Sequence, residues 1–546
     1  MNDEKLLEAI KELELIEEKK LNELYKISQE RKTGIEKLLL ERDVISKQNM
    51  AKVKSYILNL PFFSSEHTSV DREALEVIPE IVAKKQKIVA FGRDEKGLKV
   101  AMADPENTEI IEFLKKKTGL EIEIFYTSED EILDALALYS FDTKEVFDEI
   151  ISRSAGLSEP PIQELVNKII DHAYKNRSSD IHIEPLNEKS LVRFRIDGIM
   201  HDIIDLPLEL HPQIITRIKV MANLQTDEHL TPQDGKITMG TEMENLDLRV
   251  SIVPTTEGEK VVMRLLSERS RQFSLQDLGF GQKDFDKVEN AYSQPHGMIL
   301  VTGPTGSGKT TTLYAIIKLL NRREVNITTI EDPVEYSLEG INQIQTNQIT
   351  GLTFAKGLRS LVRQDPDIIL VGEIRDEETA SIAINSAMTG HLVLSSLHTN
   401  DAATAIPRFM DLNIEPFLIA STINIIVAQR LVRKICTNCK ASKTVPIDQI
   451  HEDFKQYFSN KKEIRLYHGE GCEMCHQSGY QGRVGIFEVL VMNDGIREAI
   501  IKKEDSDIIQ KEAIKSGMTT MLEDGVEKVK TGVTTLEEVV RVTKTK

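Results

Sequence analysis

The chain has 546 residues, 40% of them hydrophobic, with 88 Asp plus Glu against 69 Lys plus Arg and a net charge of −19. That much apolar chain builds several globular domains and excludes a disordered protein. The acidic balance argues against a broad nucleic-acid-binding face, which needs clustered positive charge, while leaving room for a local basic groove. The N-terminus MNDEKLLEAIKELELIEEKK has no apolar core before a small-residue cleavage site, so no secretory signal is expected. The longest apolar stretch, Phe417 to Ala428, is too short to span a bilayer. A cytoplasmic protein is expected, and four cysteines do not make a disulfide framework there.

In chain order, residues 1–60 predict helices: Leu6, Leu7, Ile10, Leu13 and Ile16 recur at helical spacing among Lys and Glu, as in a solvated amphipathic helix pair. Residues 61–148 predict a small α/β domain. KIVAFG, LKVAMAD and EIEIFYT read as strands and ENTEIIEFLKKKTG as a helix. A linker, 149–161, follows with SRSAGLSEPP. Residues 162–272 predict an α+β domain. The helix IQELVNKIIDHAYK precedes SDIHIEP, SLVRFRIDGIM, LDLRVSIVPT and KVVMRLL, which alternate as half-buried strands do. Strands and helices then alternate over 273–430. All four cysteines fall in 431–485, and 486–546 is a helical tail. The fold class expected is α/β and multidomain.

GPTGSGKT, Gly303 to Thr310, satisfies the P-loop pattern between a strand, MILVT, and a helix, TTTLYAIIKLL. Glycines let backbone N–H groups wrap phosphate oxygens, and the helix N-terminus adds its positive dipole end. The predicted ATP contacts are Gly303, Pro304, Thr305, Gly306, Ser307, Gly308, Lys309, Thr310 and Thr311. Lys309 would reach the β and γ phosphates, and Thr310 would ligand Mg²⁺.

Such a site also needs a metal-side carboxylate and a group that handles water. DIILVGE is a buried strand ending in Glu373, and ITTIEDPVEY is a strand followed by Glu331, Asp332 and Glu335. Strand ends of this kind face the ligand crevice, so Glu335 or Glu331 is the candidate to hold or deprotonate water. In GHLVLSSLHTND, His391 and His398 sit at the two ends of a strand roughly 23 Å long. They cannot both touch one phosphate. His398 is the better γ-phosphate sensor, and His391 reads as structural or as a subunit contact.

The cysteines form two CxxC pairs, Cys436 with Cys439 and Cys472 with Cys475. That spacing fits a closed structural tetrathiolate zinc site. A thioredoxin-like centre would need one CxxC at a helix start. His476 is superfluous once four thiolates fill the site.

Taken together, GPTGSGKTTTL, TIEDPVEY, RQDPDIILVGEIRD and GHLVLSSLHTNDA resemble the Walker A, aspartate-box, Walker B and histidine-box segments of the secretion ATPases. These are the hexameric motors of type II secretion and type IV pilus assembly (GspE/PilB-like). The resemblance extends through SSDIHIEP, RFRIDG, PQDGK, RVSIVPTTEGEKVVMRLL, GYQGRVGIFEVL and TTLEEVVRV. It implies a RecA-like P-loop core, a preceding PAS-like α+β domain, an N-terminal α/β docking domain and a zinc-stapled C-terminal subdomain.

It also implies roles. Lys309 and Thr310 bind phosphate and Mg²⁺, Glu335 activates water, Glu373 stands on the metal side and His398 senses phosphate. Arg249 and Arg264, with Arg195 as a further candidate, would reach the nucleotide as arginine fingers; the alternative is that they are strand-face residues paired with surface acids. The long N-terminal region and cysteine insert imply an assembly motor rather than a retraction motor. Its partners would be an inner-membrane platform protein and a cytoplasmic docking protein, which places the homohexamer at the cytoplasmic face of the membrane. Some relatives bind cyclic di-GMP through Arg-Leu-Gly and a later Gly. Here RKTGIEKLLLERDVIS keeps Gly34 but has Lys32, Thr33 and Asp43 at the other positions, so that ligand is not expected. A nucleic-acid translocase or DNA-uptake motor on the same core is the alternative. The 5% aromatic content without Trp argues against it, because single-strand channels use stacking rings.

Overall fold

A computed structural model describes the chain apart from residues 1–2, 14, 17, 32, 42–43, 46, 65–67, 69, 95–96, 137–146, 148–149, 152–160, 241–244, 267–273, 451, 459–461 and 544–546. Most of the predicted linker lies outside the described residues. Two compact units emerge, Met1–Val53 with Phe273–Lys546, and Lys54–Gln272.

Among the described residues, four helices fall in the N-terminal 60 residues: Asp3–Glu12, Glu18–Arg31, Ile35–Glu41 and Lys47–Ile57. They are not a solvated pair: Leu6, Ile10, Leu21, Ile35 and Leu39 are buried. Asp3 accepts the Ile35 amide at 3.3 Å, which ties the first helix to the third.

In the second unit, β1 (Ile88–Asp94), β2 (Gly97–Met102) and β3 (Ile122–Tyr126) form a sheet in that order. β1 and β2 are antiparallel, while β2 and β3 are parallel across the helix Thr108–Thr118. Asn107 caps that helix by accepting the Ile110 amide at 3.3 Å. Gly119, with φ 68°, ends it in the left-handed region that favours glycine.

The same unit holds β4 (Asp180–Pro185), β5 (Lys189–Ile196), β6 (Ile199–Pro207), β7 (Gln233–Gly240), β8 (Asn245–Thr255) and β9 (Gly258–Leu266). They form an antiparallel sheet ordered β6-β5-β4-β9-β8-β7. Ile181, Ile183, Val192, Phe194, Leu248 and Val250 share a core with Leu165 and Ile169 of the helix Ile162–Lys175 and Ile214 and Ile218 of the helix His211–Met221. The period-two alternation therefore puts Asp180, His182 and Glu184 on the other face.

The first unit is built on a seven-stranded sheet of β10 (Gly297–Thr302), β11 (Ile327–Glu331), β12 (Asn342–Gln345), β13 (Ile368–Val371), β14 (Leu392–Leu397), β15 (Ile423–Ile435) and β18 (Tyr480–Val491). β16 (Lys440–Pro446) and β17 (Glu463–Gly469) make a separate hairpin. The order is β12-β11-β13-β14-β10-β15-β18, parallel except for β18 against β15. β10, β13 and β14 are buried along their whole length, as parallel strands covered on both faces must be. The apolar stretch from Phe417 divides into the helix Pro416–Thr422 and β15, and no helix of the described chain is long and apolar enough to cross a membrane.

β15 and β18 run through the expected boundaries at 430/431 and 485/486 and carry the sheet into the cysteine region. That region has a small apolar core of its own: Ile450, Phe454, Phe458 and Ile464 pack with Val526, Val529 and Val539 of the C-terminal helices. The last helix, Leu536–Thr543, is fastened to β15 by Glu538, which is 2% exposed. Arg433 reaches Glu538 through NH2 at 2.6 Å and through its backbone amide at 2.9 Å, and Arg541 adds bonds of 2.8 and 2.7 Å.

Burial alone would raise the Glu538 pKa, but hydrogen bonds from Arg541 and Arg433 hold it at about 2. With the folded-state value below the ordinary 4.5, this stabilisation is present above 4.5 and lost as pH falls toward about 2. Thermal melts should show Glu538→Gln well below wild type at neutral pH, with the gap narrowing as pH drops through that window. A pH-independent gap would contradict the assignment.

Candidate active site

β10 ends at Thr302, and the loop to the helix Lys309–Leu320 turns through three positive-φ glycines: Gly303 at 150°, Gly306 at 78° and Gly308 at 90°. A Cβ on Gly303 would fall 2.5 Å from the Gln429 carbonyl and 2.6 Å from Ser307 Oγ, so the position requires glycine. Lys309 Nζ donates to the carbonyls of Gly303 at 2.9 Å and Pro304 at 3.2 Å. Burial pulls the Lys309 pKa down, and the Glu373 carboxylate pulls the other way. The lysine thus sits folded into its own loop, within the electrostatic reach of Glu373.

Gln429 on β15 braces the loop from the side. Its Nε2 donates to the Ser307 carbonyl at 2.7 Å, and its Oε1 accepts from Thr312 Oγ1 at 2.7 Å. Sequence reasoning missed this residue. Its signal was a lone amide within an apolar strand, INIIVAQRL, where a buried polar group needs partners.

Glu373 lies two residues beyond β13. Its carboxylate meets Arg375 at 2.7 Å and His398 Nε2 at 3.2 Å. The hydroxyls of Thr302 and Thr399 bond to each other, and the Thr399 amide donates to Thr302 Oγ1 at 3.1 Å. The histidine-bearing loop is therefore pinned to the residue just before the P-loop. His391 lies at the opposite edge of the sheet, beside the Gly297–Leu392 pairing, and holds the Ser386 carbonyl at 2.8 Å.

The three acids at and beyond the end of β11 separate by environment. Glu331 is buried and hydrogen-bonded by Tyr314, Thr329 and Gln343. Asp332 is exposed and Glu335 half-buried, on the segment that follows. Thr310 is exposed at the first turn of the P-loop helix and Thr311 is half-buried.

Arg249, Arg264 and Arg195 belong to the other compact unit. Strand register lines up Lys236, Arg249, Arg264, Asp180 and Arg195 across β7, β8, β9, β4 and β5. Arg264 Nε meets Asp180 Oδ1 at 3.1 Å, and Arg195 Nε meets Oδ2 at 3.7 Å. Arg264 thus has an acid partner, yet its side chain stays 60% exposed. The row carries four cations and one carboxylate, and Lys236 is paired outside it with Asp247 at 3.1 Å.

Sγ atoms of Cys436 and Cys472 are 3.8 Å apart, those of Cys439 and Cys475 3.8 Å, and those of Cys472 and Cys475 3.7 Å. All four lie within 4.8 Å of one another. A tetrahedron with metal–sulfur bonds of about 2.3 Å has edges of about 3.8 Å, so the four sulfurs fit one metal ion. Amides of Gly471, Cys472 and Gly479 donate to the sulfurs at 3.2–3.3 Å, which stabilises thiolates. Lys32 and Asp43 lie outside the described residues, so their departures from the cyclic di-GMP pattern have no structural counterpart here.

The family profile described as type II/IV secretion system protein matches residues 156–541, and the MshEN domain profile matches 58–145. The type IV pilus assembly ATPase PilB of Myxococcus xanthus is 40% identical, covering 96% of each chain. Type II secretion system protein E of Xanthomonas campestris is also 40% identical, covering 99% of this chain and 98% of that one. The X-ray structure of the Legionella pneumophila ATPase DotB superposes with a TM-score of 0.51 at 20% identity, over 69% of this chain and 95% of that one. At that identity the likeness speaks to fold alone.

Proposed function

The chain belongs to the type II/IV secretion system protein family, and on that premise we propose that it is the hexameric ATPase motor that drives assembly of a type IV pilus or a type II secretion pseudopilus. It hydrolyses ATP. The observation that carries the reading is the convergence of the P-loop, Glu373 and His398 at one edge of the parallel sheet. Gly303 to Thr311 would cradle the phosphates, with Lys309 exchanging its loop carbonyls for phosphate oxygens. Bound Mg²⁺ would offset phosphate charge, held on the side of Thr310 and Glu373.

Glu335 is the residue that orients and deprotonates water. Glu331 is set aside because its oxygens are already occupied by hydrogen bonds. His398, linked to Glu373, reads the γ-phosphate position. Arg249 and Arg264, on their cation-rich row, supply charge to the nucleotide, which couples domain movement to hydrolysis. The four cysteines hold Zn²⁺ as a structural staple with no open position. The homohexamer works at the cytoplasmic face of the inner membrane, against a platform protein and a cytoplasmic docking protein.

Steady-state ATP hydrolysis by the purified hexamer tests the site. Lys309→Ala and Glu335→Gln should each lose about a hundredfold or more in turnover; wild-type rates in both would contradict the assignment. Arg249→Ala should lower turnover while nucleotide affinity stays close to wild type, and an unchanged rate would remove it from the site. Metal analysis should find about one zinc per chain, lost in Cys472→Ser, whereas metal-free wild-type protein would refute the staple.

A further inference from the structure

The segment carrying Glu335 is held from beneath by a buried side-chain network whose hub lies on the phosphate-binding helix. Tyr314 comes four residues after Thr310, so the two share one side of the helix a turn apart. Its ring is 0% exposed and meets Tyr336 nearly edge-on, with 4.8 Å between centroids and 76° between planes. Its hydroxyl donates to Glu331 at the end of β11. It also faces the backbone amide of Glu335 and, at 3.3 Å, Nε2 of Gln343.

The remaining bonds close the network. The second Glu331 oxygen accepts from Thr329 Oγ1 at 2.6 Å and from Gln343 Nε2 at 3.2 Å. Gln343 accepts the Leu338 amide at 2.7 Å and donates to the Tyr336 carbonyl at 3.2 Å. A carboxylate this deeply buried is tolerated only when hydrogen-bonded, and none of the proposed hydrolytic steps uses Glu331 itself. What the network does hold is the segment after β11, at the backbone of Glu335, Tyr336 and Leu338. Burial, reinforced by the neighbouring Glu331, pushes the Tyr314 phenol far above its ordinary pKa, so it remains a donor across the working range.

We propose that Tyr314 is a positioning residue for hydrolysis: its hydroxyl sets the placement of Glu335. This rests on Glu335 as the water-activating residue. A misplaced base costs rate without weakening ground-state binding, which separates positioning from mere support of the fold.

Tyr314→Phe keeps the ring and removes only the hydroxyl. Its kcat should fall about tenfold or more, with KM for ATP and nucleotide Kd changed by less than about twofold. Added to Glu335→Gln, it should cost nothing further in residual turnover. Gln343→Met, which cuts the other strap, should reproduce the kcat-selective loss and serves if the first variant folds poorly. A Tyr314→Phe kcat near wild type, a loss that multiplies with that of Glu335→Gln, or a loss matched by weaker nucleotide binding would overturn the proposal. If Glu335→Gln alone keeps full turnover, the water-activating assignment falls and this proposal with it. If Glu335→Gln is impaired but Tyr314→Phe is not, only the positioning role falls.

Discussion

Parallel strands deliver whatever follows them to one edge, and the proposed catalytic geometry depends on that constraint. β10, β11, β13 and β14 run in the same direction. The loop after β10 carries Lys309, the segment after β11 carries Glu335, the turn after β13 carries Glu373 and the loop after β14 carries His398. Residues far apart in sequence are therefore brought to one edge, where Glu373 meets His398. The same constraint sends His391, at the start of β14, to the other edge.

A second constraint is that the edge must be stiff. Buried polar side chains supply this where apolar packing cannot choose one geometry. Gln429 braces the P-loop, the Thr302–Thr399 pair ties two loops together, and Glu331 anchors the turn after β11. Each is satisfied on both sides, the condition under which buried polar groups specify structure rather than weaken it. β15 extends this stiffness outward, since the strand that carries Gln429 ends one residue before Cys436. The cysteine site and the Glu538 anchor therefore fasten the far end of a strand whose middle touches the phosphate loop.

Much of this was legible in the sequence because the chemistry is local. Gly303 through Thr310 announce themselves by glycine spacing, and the CxxC pairs by their own. The strands were legible wherever apolar residues alternated or ran unbroken, as in MILVT and DIILVGE. Long-range pairing was not. Nothing local says that β18 returns antiparallel to β15, so the subdomain boundaries were drawn through both strands. Nor could periodicity separate Glu331 from Glu335: both follow one strand, and only the approach of Tyr314, Thr329 and Gln343 tells a buried anchor from a half-buried acid. The sequence of the N-terminal helices reads as solvated because their burial comes from docking on one another.

Four loops at one sheet edge are proposed to make a single nucleotide site. Hydrogen–deuterium exchange of the full-length protein, with and without Mg²⁺ and a non-hydrolysable ATP analogue, tests it most directly. Protection should rise together in residues 303–311, 332–338, 372–375 and 398–402, with the hairpin strands 440–446 and 463–469 unchanged. Protection confined to the P-loop, or centred on the cysteine hairpin, would contradict it.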